Sequence, residues 1–198
     1  MQLLDFNNIL QNHAYPGRGI MLGRSADNTK AVIAYFIMGR SENSRNRIFE
    51  TTEDGIRTKA YDESKLADPS LIIYHPVRRL GNRLIVTNGD QTDTIRDGLA
   101  AGKSFPESLK CRCFEPDGPN WTPRISGLLN FTEGGFDYSM SILKSADAEG
   151  SACNRFTYDY EALNGLGHFI HTYVTDGNPI PTFQGEPERI AIGGDIEE

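Results

Sequence analysis

Short apolar runs separated by clusters of Gly, Pro, Asn, Asp and Ser recur along most of the chain, a pattern of strands joined by turns. Residues 20–23 and 31–38 form a hairpin signature around Ser25-Ala-Asp-Asn-Thr29, and the second run is rich enough in β-formers for a buried strand. Residues 48–52 and 56–60 read as shorter strands around Glu53-Asp-Gly55. Residues 71–74 read as a strand stopped by Pro76, and 80–87 as a hairpin through Gly81-Asn82. Residues 124–129 and 136–143 alternate like paired strands joined at Glu133-Gly-Gly135, and 153–158 reads as a further strand.

The helical signals are fewer. Residues 1–14 predict a short helix or an arm. Thr94 with Asp97 three residues later resembles a capping box, and Gly102 closes the same segment. Ser104 opens a second short helix through Leu109. Residues 161–173 read as helical, weakened by Gly165 and Gly167, and 175–185 as a turn-rich tail. Many hairpin strands with a few helices between them predict an α+β domain in which two packed, mainly antiparallel sheets carry helices outside.

Length and composition narrow the class. A chain of 198 residues is long enough for one sizeable core, and 20 Gly with 10 Pro argue against a helical bundle. The net charge of −7 argues against nucleic-acid binding, although a cleft on an acidic protein can still be basic: Arg18, Arg24, Arg40, Arg45 and Arg47 all fall in the first quarter. Part of the acid sits at the C-terminal end, residues 194–198, expected to be solvated. Three cysteines, Cys111, Cys113 and Cys153, suit a reducing compartment without a disulfide framework. With no secretory pattern and no apolar stretch near the ~20 residues of a membrane span, a cytoplasmic location is expected.

The densest chemistry is Arg83-Leu-Ile-Val-Thr-Asn-Gly-Asp-Gln-Thr-Asp-Thr-Ile95. Asn88-Gly89 makes a turn, and Thr92 or Asp93 can cap the next helix. That leaves Asp90, Gln91 and one threonine unexplained, so a polar ligand and a purely structural loop both stay open. In Ser41-Glu-Asn-Ser-Arg-Asn-Arg47, two arginines beside small polar groups suit either a phosphate or a solvated loop. Tyr74 reads as a core residue with its hydroxyl at the edge, or as a donor aimed at substrate. His168-Phe-Ile-His171 has helical spacing without a ligand cluster around it, so no metal is expected. No phosphate-loop, Gly-x-Ser-x-Gly or HExxH motif occurs, and nothing singles out one cysteine as a nucleophile.

Tyr15-Pro-Gly-Arg-Gly-Ile20, Leu22-Gly-Arg-Ser25, Ala34-Tyr35, Gly39-Arg-Ser41, Arg45-Asn-Arg47, Asp68-Pro69, residues 71–74, Asn88-Gly-Asp-Gln-Thr-Asp-Thr-Ile95 and Thr122-Pro-Arg-Ile125 together, in this order, resemble the archaeal-type IMP cyclohydrolase family. The likeness runs from Tyr15 to about Ile125 and is most specific at residues 88–95. It implies a single domain over 1–198, with 1–14 an added N-terminal arm. It also implies a four-layer αββα fold like that of the N-terminal-nucleophile hydrolases, without a self-cleaved nucleophile at Met1-Gln2.

The implied reaction closes the formamido ribonucleotide FAICAR to IMP with loss of water, with no cofactor. Position by position, the resemblance implies Arg47, Tyr74 and Glu115 as catalytic, with Asp117 in reserve for Glu115. It implies Asn88, Thr92, Asp93 and Arg124 along the nucleotide pocket, and Arg18 and Arg24 as phosphate partners. The expected partners are the purine ribonucleotide and further copies of the chain, with neither nucleic acid nor membrane. The alternatives are an amidohydrolase of the same fold acting on another substrate, and a non-catalytic purine-nucleotide-binding protein.

Overall fold

The computed structural model describes residues 3–66 and 68–193; the acidic end at 194–198 and Met1-Gln2 lie outside the described residues. Two antiparallel sheets carry the architecture. The smaller contains β1 (Arg18–Arg24), β2 (Ala31–Ile37), β10 (Leu166–His171) and β11 (Glu188–Ala191), in the order β11-β10-β1-β2. The larger runs in simple sequence order through β3 (Ile48–Thr52), β4 (Gly55–Lys59), β5 (Val77–Leu80), β6 (Arg83–Thr87), β7 (Arg124–Thr132), β8 (Gly135–Ser145) and β9 (Cys153–Glu161).

The period-two alternation of strands sets the layers. Ile20 and Leu22 of β1 and Ile170 of β10 meet Val86, Ile125, Leu129, Met140 and Ile142 in one buried cluster between the sheets. On the opposite face of the large sheet, Ile85, Leu128 and Leu143 pack with Ile95, Leu99, Phe105 and Leu109 of α3 (Gln91–Ala100) and α4 (Phe105–Ser108) and of the turn that follows α4. On the outer face of the small sheet, α1 (Phe6–Asn12) sets Phe6 edge-on against Phe169, with ring centroids 5.0 Å apart. Helix, sheet, sheet, helices is therefore the order of layers, and the protein is α+β as its patterning predicts.

Three expectations change. Residues 161–173 do not form a helix: Leu166–His171 is β10, paired with both β1 and β11. Five of its six residues are buried, so both faces are covered and no alternation marks it as a strand. Residues 71–74 form turns rather than a strand, because the Tyr74 amide donates to Thr58 Oγ1 (2.9 Å) while the Tyr74 carbonyl accepts from the Thr58 amide (2.9 Å), a local clasp without a continuing ladder. The α3 helix starts at Gln91, not at Thr94, with Asp90 at its N-cap position. The capping box at Ser104 and Glu107 is present on α4.

Candidate active site

The β1 strand delivers the first charged group. Its sequence, Arg-Gly-Ile-Met-Leu-Gly-Arg, puts Arg18, Ile20, Leu22 and Arg24 on one face, the face that packs against the large sheet. Arg18 thus points inward at the end of the core, where Glu115 meets it from a loop 97 residues away. The guanidinium donates from Nη2 to Oε1 of Glu115 at 2.6 Å, with the two side chains 13% and 4% exposed. Burial raises the Glu115 carboxyl above its ordinary range against the opposing pull of Arg18 and Arg124. Burial also works against the Arg18 charge, but the field of Glu115 outweighs it and the guanidinium stays protonated.

Two phenols stand beside this pair. The Tyr74 and Tyr35 hydroxyls lie 2.7 Å apart, and Tyr74 is almost fully buried. Burial lifts the Tyr74 phenol above its ordinary value, with Arg18 and Arg47 pulling it back, and lifts Tyr35 well above it. Both therefore keep their protons at neutral pH and serve as hydrogen-bond donors. Arg47 follows the short helix α2 (Glu42–Arg45) and anchors through Nε to the Ser44 carbonyl at 2.8 Å.

A cleft of about 330 Å³ opens over this cluster, with Arg18, Arg40 and Arg47 on its walls beside Ser41, Ser44 and Asp117. Tyr74 and Glu115 are not among the residues that line it; Glu115 adjoins it through its contact with Arg18, and Tyr74 lies within the fields of Arg18, Arg47 and Glu115. Opposite the arginines, Tyr15 stacks on Tyr173 with ring centroids 5.7 Å apart. The Thr122 hydroxyl makes short contacts to both the Tyr173 hydroxyl and Asp117, and Asp117 also accepts from the Thr122 amide at 2.7 Å. Two guanidinium nitrogens in these walls, Nε of Arg18 and Nη1 of Arg47, are buried without an acceptor. A buried charged donor left unpaired is costly.

The structure thus gathers Arg47, Tyr74, Glu115, Asp117 and Arg18 in one place, with Arg124 near enough to act on Glu115, and engages the remaining sequence candidates in other contacts. Arg24 lies six residues along β1 from Arg18, about 20 Å at the rise of a strand. There it donates to Asn28 at 2.6 Å and sits 4.8 Å over the Phe136 ring. Asn88 and Thr92 are fully buried and bonded within the protein. Asn88 donates to the Pro123 carbonyl (2.8 Å) and accepts from Gln91 (2.9 Å) and the Ile125 amide (2.9 Å). Thr92 shares a 2.6 Å hydroxyl contact with Thr87. Asp93 accepts from Arg78 at 2.6 Å. Arg124 donates to Asp90 (2.7 Å) and Gln91 (2.8 Å), while its field also reaches Glu115. The polar loop thus locks β6, β7 and α3 together, and those bonds account for Asp90 and Gln91.

Sequence reasoning passed over Tyr35, Arg40, Thr122, Asn120 and Tyr173 as site residues. Signals existed for three of them: Arg40 stands in the arginine-rich first quarter, and Tyr35, Arg40 and Thr122 all fall within the motifs that carry the family resemblance. Among the described residues no group of His, Cys, Asp or Glu could hold a metal, and no helix is long and apolar enough to cross a membrane.

Comparison with known proteins adds to this geometry. The chain is similar to the IMP cyclohydrolase of Methanococcus aeolicus, 30% identical over 120 residues that cover 59% of this chain and 58% of that protein. It is similar to the IMP cyclohydrolase of Methanopyrus kandleri, 33% identical over 116 residues covering 57% of each. A third IMP cyclohydrolase, of Methanosphaera stadtmanae, is 30% identical over 120 residues, 59% of this chain and 58% of that protein. The chain spans a little under 60% of the length of these relatives. A family model described as "IMP cyclohydrolase-like protein" matches residues 15–198, nearly all of the chain beyond α1. The chain therefore belongs to the IMP cyclohydrolase-like family.

Proposed function

We propose that the protein is an IMP cyclohydrolase, closing FAICAR to IMP and water. The observation that carries this reading is the pair of unfilled guanidinium donors of Arg18 and Arg47, set beside two protonated phenols and a buried carboxyl with raised affinity for a proton. Ring closure calls for hydrogen-bond donors and a proton-carrying group of this kind. The carboxamide nitrogen attacks the formyl carbon, a C–N bond forms, and negative charge grows on the formyl oxygen. That oxygen takes up a proton as the carboxamide nitrogen loses one, and a second proton, matched by the one the formamido nitrogen gives up as the C=N bond forms, lets the hydroxyl leave as water.

In this mechanism Arg47 and the Tyr74 hydroxyl stabilise the formyl oxygen. Preorganised donors of this kind contribute about 3–4 kcal/mol each. Glu115 accepts the carboxamide proton and returns one to the departing hydroxyl, with Asp117 at the cleft wall as the other carboxyl in reach. Arg18 holds Glu115 in place. The cleft volume suits a mononucleotide, and its phosphate would lie toward Arg40, whose exposed ion pair with Asp176 at 3.5 Å is weak enough to be exchanged. Because the nucleophile and electrophile already share one imidazole ring, the protein's task is orientation and charge stabilisation.

The cysteines, all free, support a cytoplasmic setting. Exposed Met38, Ile48 and Phe49 near the cleft support a homo-oligomer, and light scattering on the purified protein reads that directly. The test of the activity is incubation of purified protein with FAICAR without added metal, followed by the ultraviolet spectrum of IMP. Absence of conversion at micromolar enzyme removes the assignment.

A further inference from the structure

Tyr35 has no role in the mechanism above, yet its hydroxyl touches the one phenol that does. It comes from the middle of β2, opposite Ile20, so its ring faces the inter-sheet core. The Phe49 ring lies 6.0 Å from it, and the surrounding groove is apolar, formed by Ile33, Ile56, Val77 and Leu84 among others. The Tyr74 hydroxyl lies 2.7 Å away and faces Arg18, Arg47 and Glu115.

Two phenols have two protons, and one oxygen–oxygen contact can use only one of them. The other O–H must point elsewhere. Around Tyr35 lie the guanidinium groups of Arg18 and Arg47, which only donate, and the apolar groove, so its O–H turned that way would lack an acceptor, which is costly for a buried hydroxyl. Turned outward from Tyr74 it meets the charged site.

We propose that Tyr35 is a positioning residue for ring closure: its hydroxyl donates to Tyr74, which fixes the direction of the Tyr74 O–H toward the formyl oxygen. The arrangement also supports Tyr74 in the transition state. As the Tyr74 O–H is drawn toward the oxyanion, its own oxygen gains negative charge, and the Tyr35 hydroxyl is already placed to accept that load along the same line of hydrogen bonds. The proposal rests on the cyclohydrolase reading, in which Tyr74 contacts substrate.

Steady-state kinetics on the full chain test it through Tyr35→Phe, Tyr74→Phe and the double variant, each with FAICAR. Loss of orientation at a reacting group lowers kcat by roughly 100-fold, so Tyr35→Phe should show that loss with KM changed by less than about threefold. With Tyr74 already Phe, removing the Tyr35 hydroxyl should change kcat by less than about twofold, because it acts only through Tyr74. If Tyr35→Phe keeps kcat near the wild-type value, or if the two losses multiply, the positioning role is overturned while wild-type turnover leaves the cyclohydrolase reading standing. Wild type without turnover removes both.

Should Tyr35→Phe fold poorly by circular dichroism, a difluorotyrosine at 35 keeps the ring and the hydroxyl. It should move the alkaline limb of kcat to lower pH than in wild type. An unmoved limb overturns the proposal, since a hydroxyl that served only packing would leave the pH profile alone.

Discussion

Arg18 grips Glu115 through a single 2.6 Å contact from Nη2 while its own Nε, equally buried, finds no acceptor. The guanidinium therefore keeps one donor unused beside the pair. Removing one partner from such a pair leaves a buried charge behind, which costs about 3–5 kcal/mol. Arg18→Leu should lose stability of that order in urea unfolding. Adding Glu115→Gln on that background should restore part of it, because the stranded charge is gone. A double variant no more stable than Arg18→Leu would show that Glu115 is not stranded.

His168 is buried between the sheets, with Nδ1 bonded to the Tyr138 hydroxyl at 2.7 Å and Nε2 without a partner. Burial drives its folded pKa down to about 4 from 6.5. Between those values the unfolded chain binds a proton that the folded one refuses, so the stabilisation is present above about pH 6.5 and is lost as pH falls toward 4. The effect is on the order of 2–3 kcal/mol. Urea midpoints between pH 7 and 4 should fall steeply in wild type and less steeply in His168→Gln. Parallel curves would refute the assignment.

Asn88 joins the β6 end to β7 and α3 through three side-chain bonds. Asn88→Ala leaves the Pro123 carbonyl and Ile125 amide without that partner, at about 1–3 kcal/mol for each group left unsatisfied. Unfolding measurements should show that loss, with KM for FAICAR within about twofold of wild type. A large rise in KM at unchanged stability would instead make Asn88 a ligand contact.

Gly17 precedes β1 with φ of 74°, and a Cβ there would come within 2.6 Å of the Tyr173 ring. A side chain in the left-handed region costs about 1–2 kcal/mol before any clash. Gly17→Ala should lose more stability than that and raise KM, since the displaced Tyr173 forms one wall of the cleft. Wild-type KM and midpoint would mean that this wall is not held from Gly17.

Much of the layering was readable before any coordinates. The hairpins read at 20–38 and 80–87 from alternation and turn residues run in the structure over 18–37 and 77–87, and α4 follows from its capping box. What escaped has physical causes. The β10 strand shows no alternation because both its faces are covered, and Gly165 before it with Gly167 inside it reads like a broken helix. Tyr74 sits after three aliphatics, as a strand residue would, yet Thr58 holds it in a turn.

The site itself depends on distance along the chain. Arg18 stood out only as one of the arginines of the first quarter, and nothing local to residue 18 points to residue 115. The dense polar loop at 88–94 holds its buried members, Asn88, Gln91 and Thr92, in bonds within the protein, and Asp90 is bound to Arg112 and Arg124. A crowded polar sequence can therefore mark a keystone as readily as a contact surface.

The N-terminal segment has a practical bearing on any shortened version of the protein. The family match begins at Tyr15, which invites a start at that residue. Yet Leu4 bridges Ile190 at the edge of β11, Phe6 covers Phe169, and His13 covers His171. His171 in turn contacts the Tyr173 carbonyl at 2.7 Å. Trimming to the matched region would strip a lid from aromatic side chains and loosen the floor beneath Tyr173, so a recombinant form that keeps residue 3 onward is the better choice for crystals and for assay.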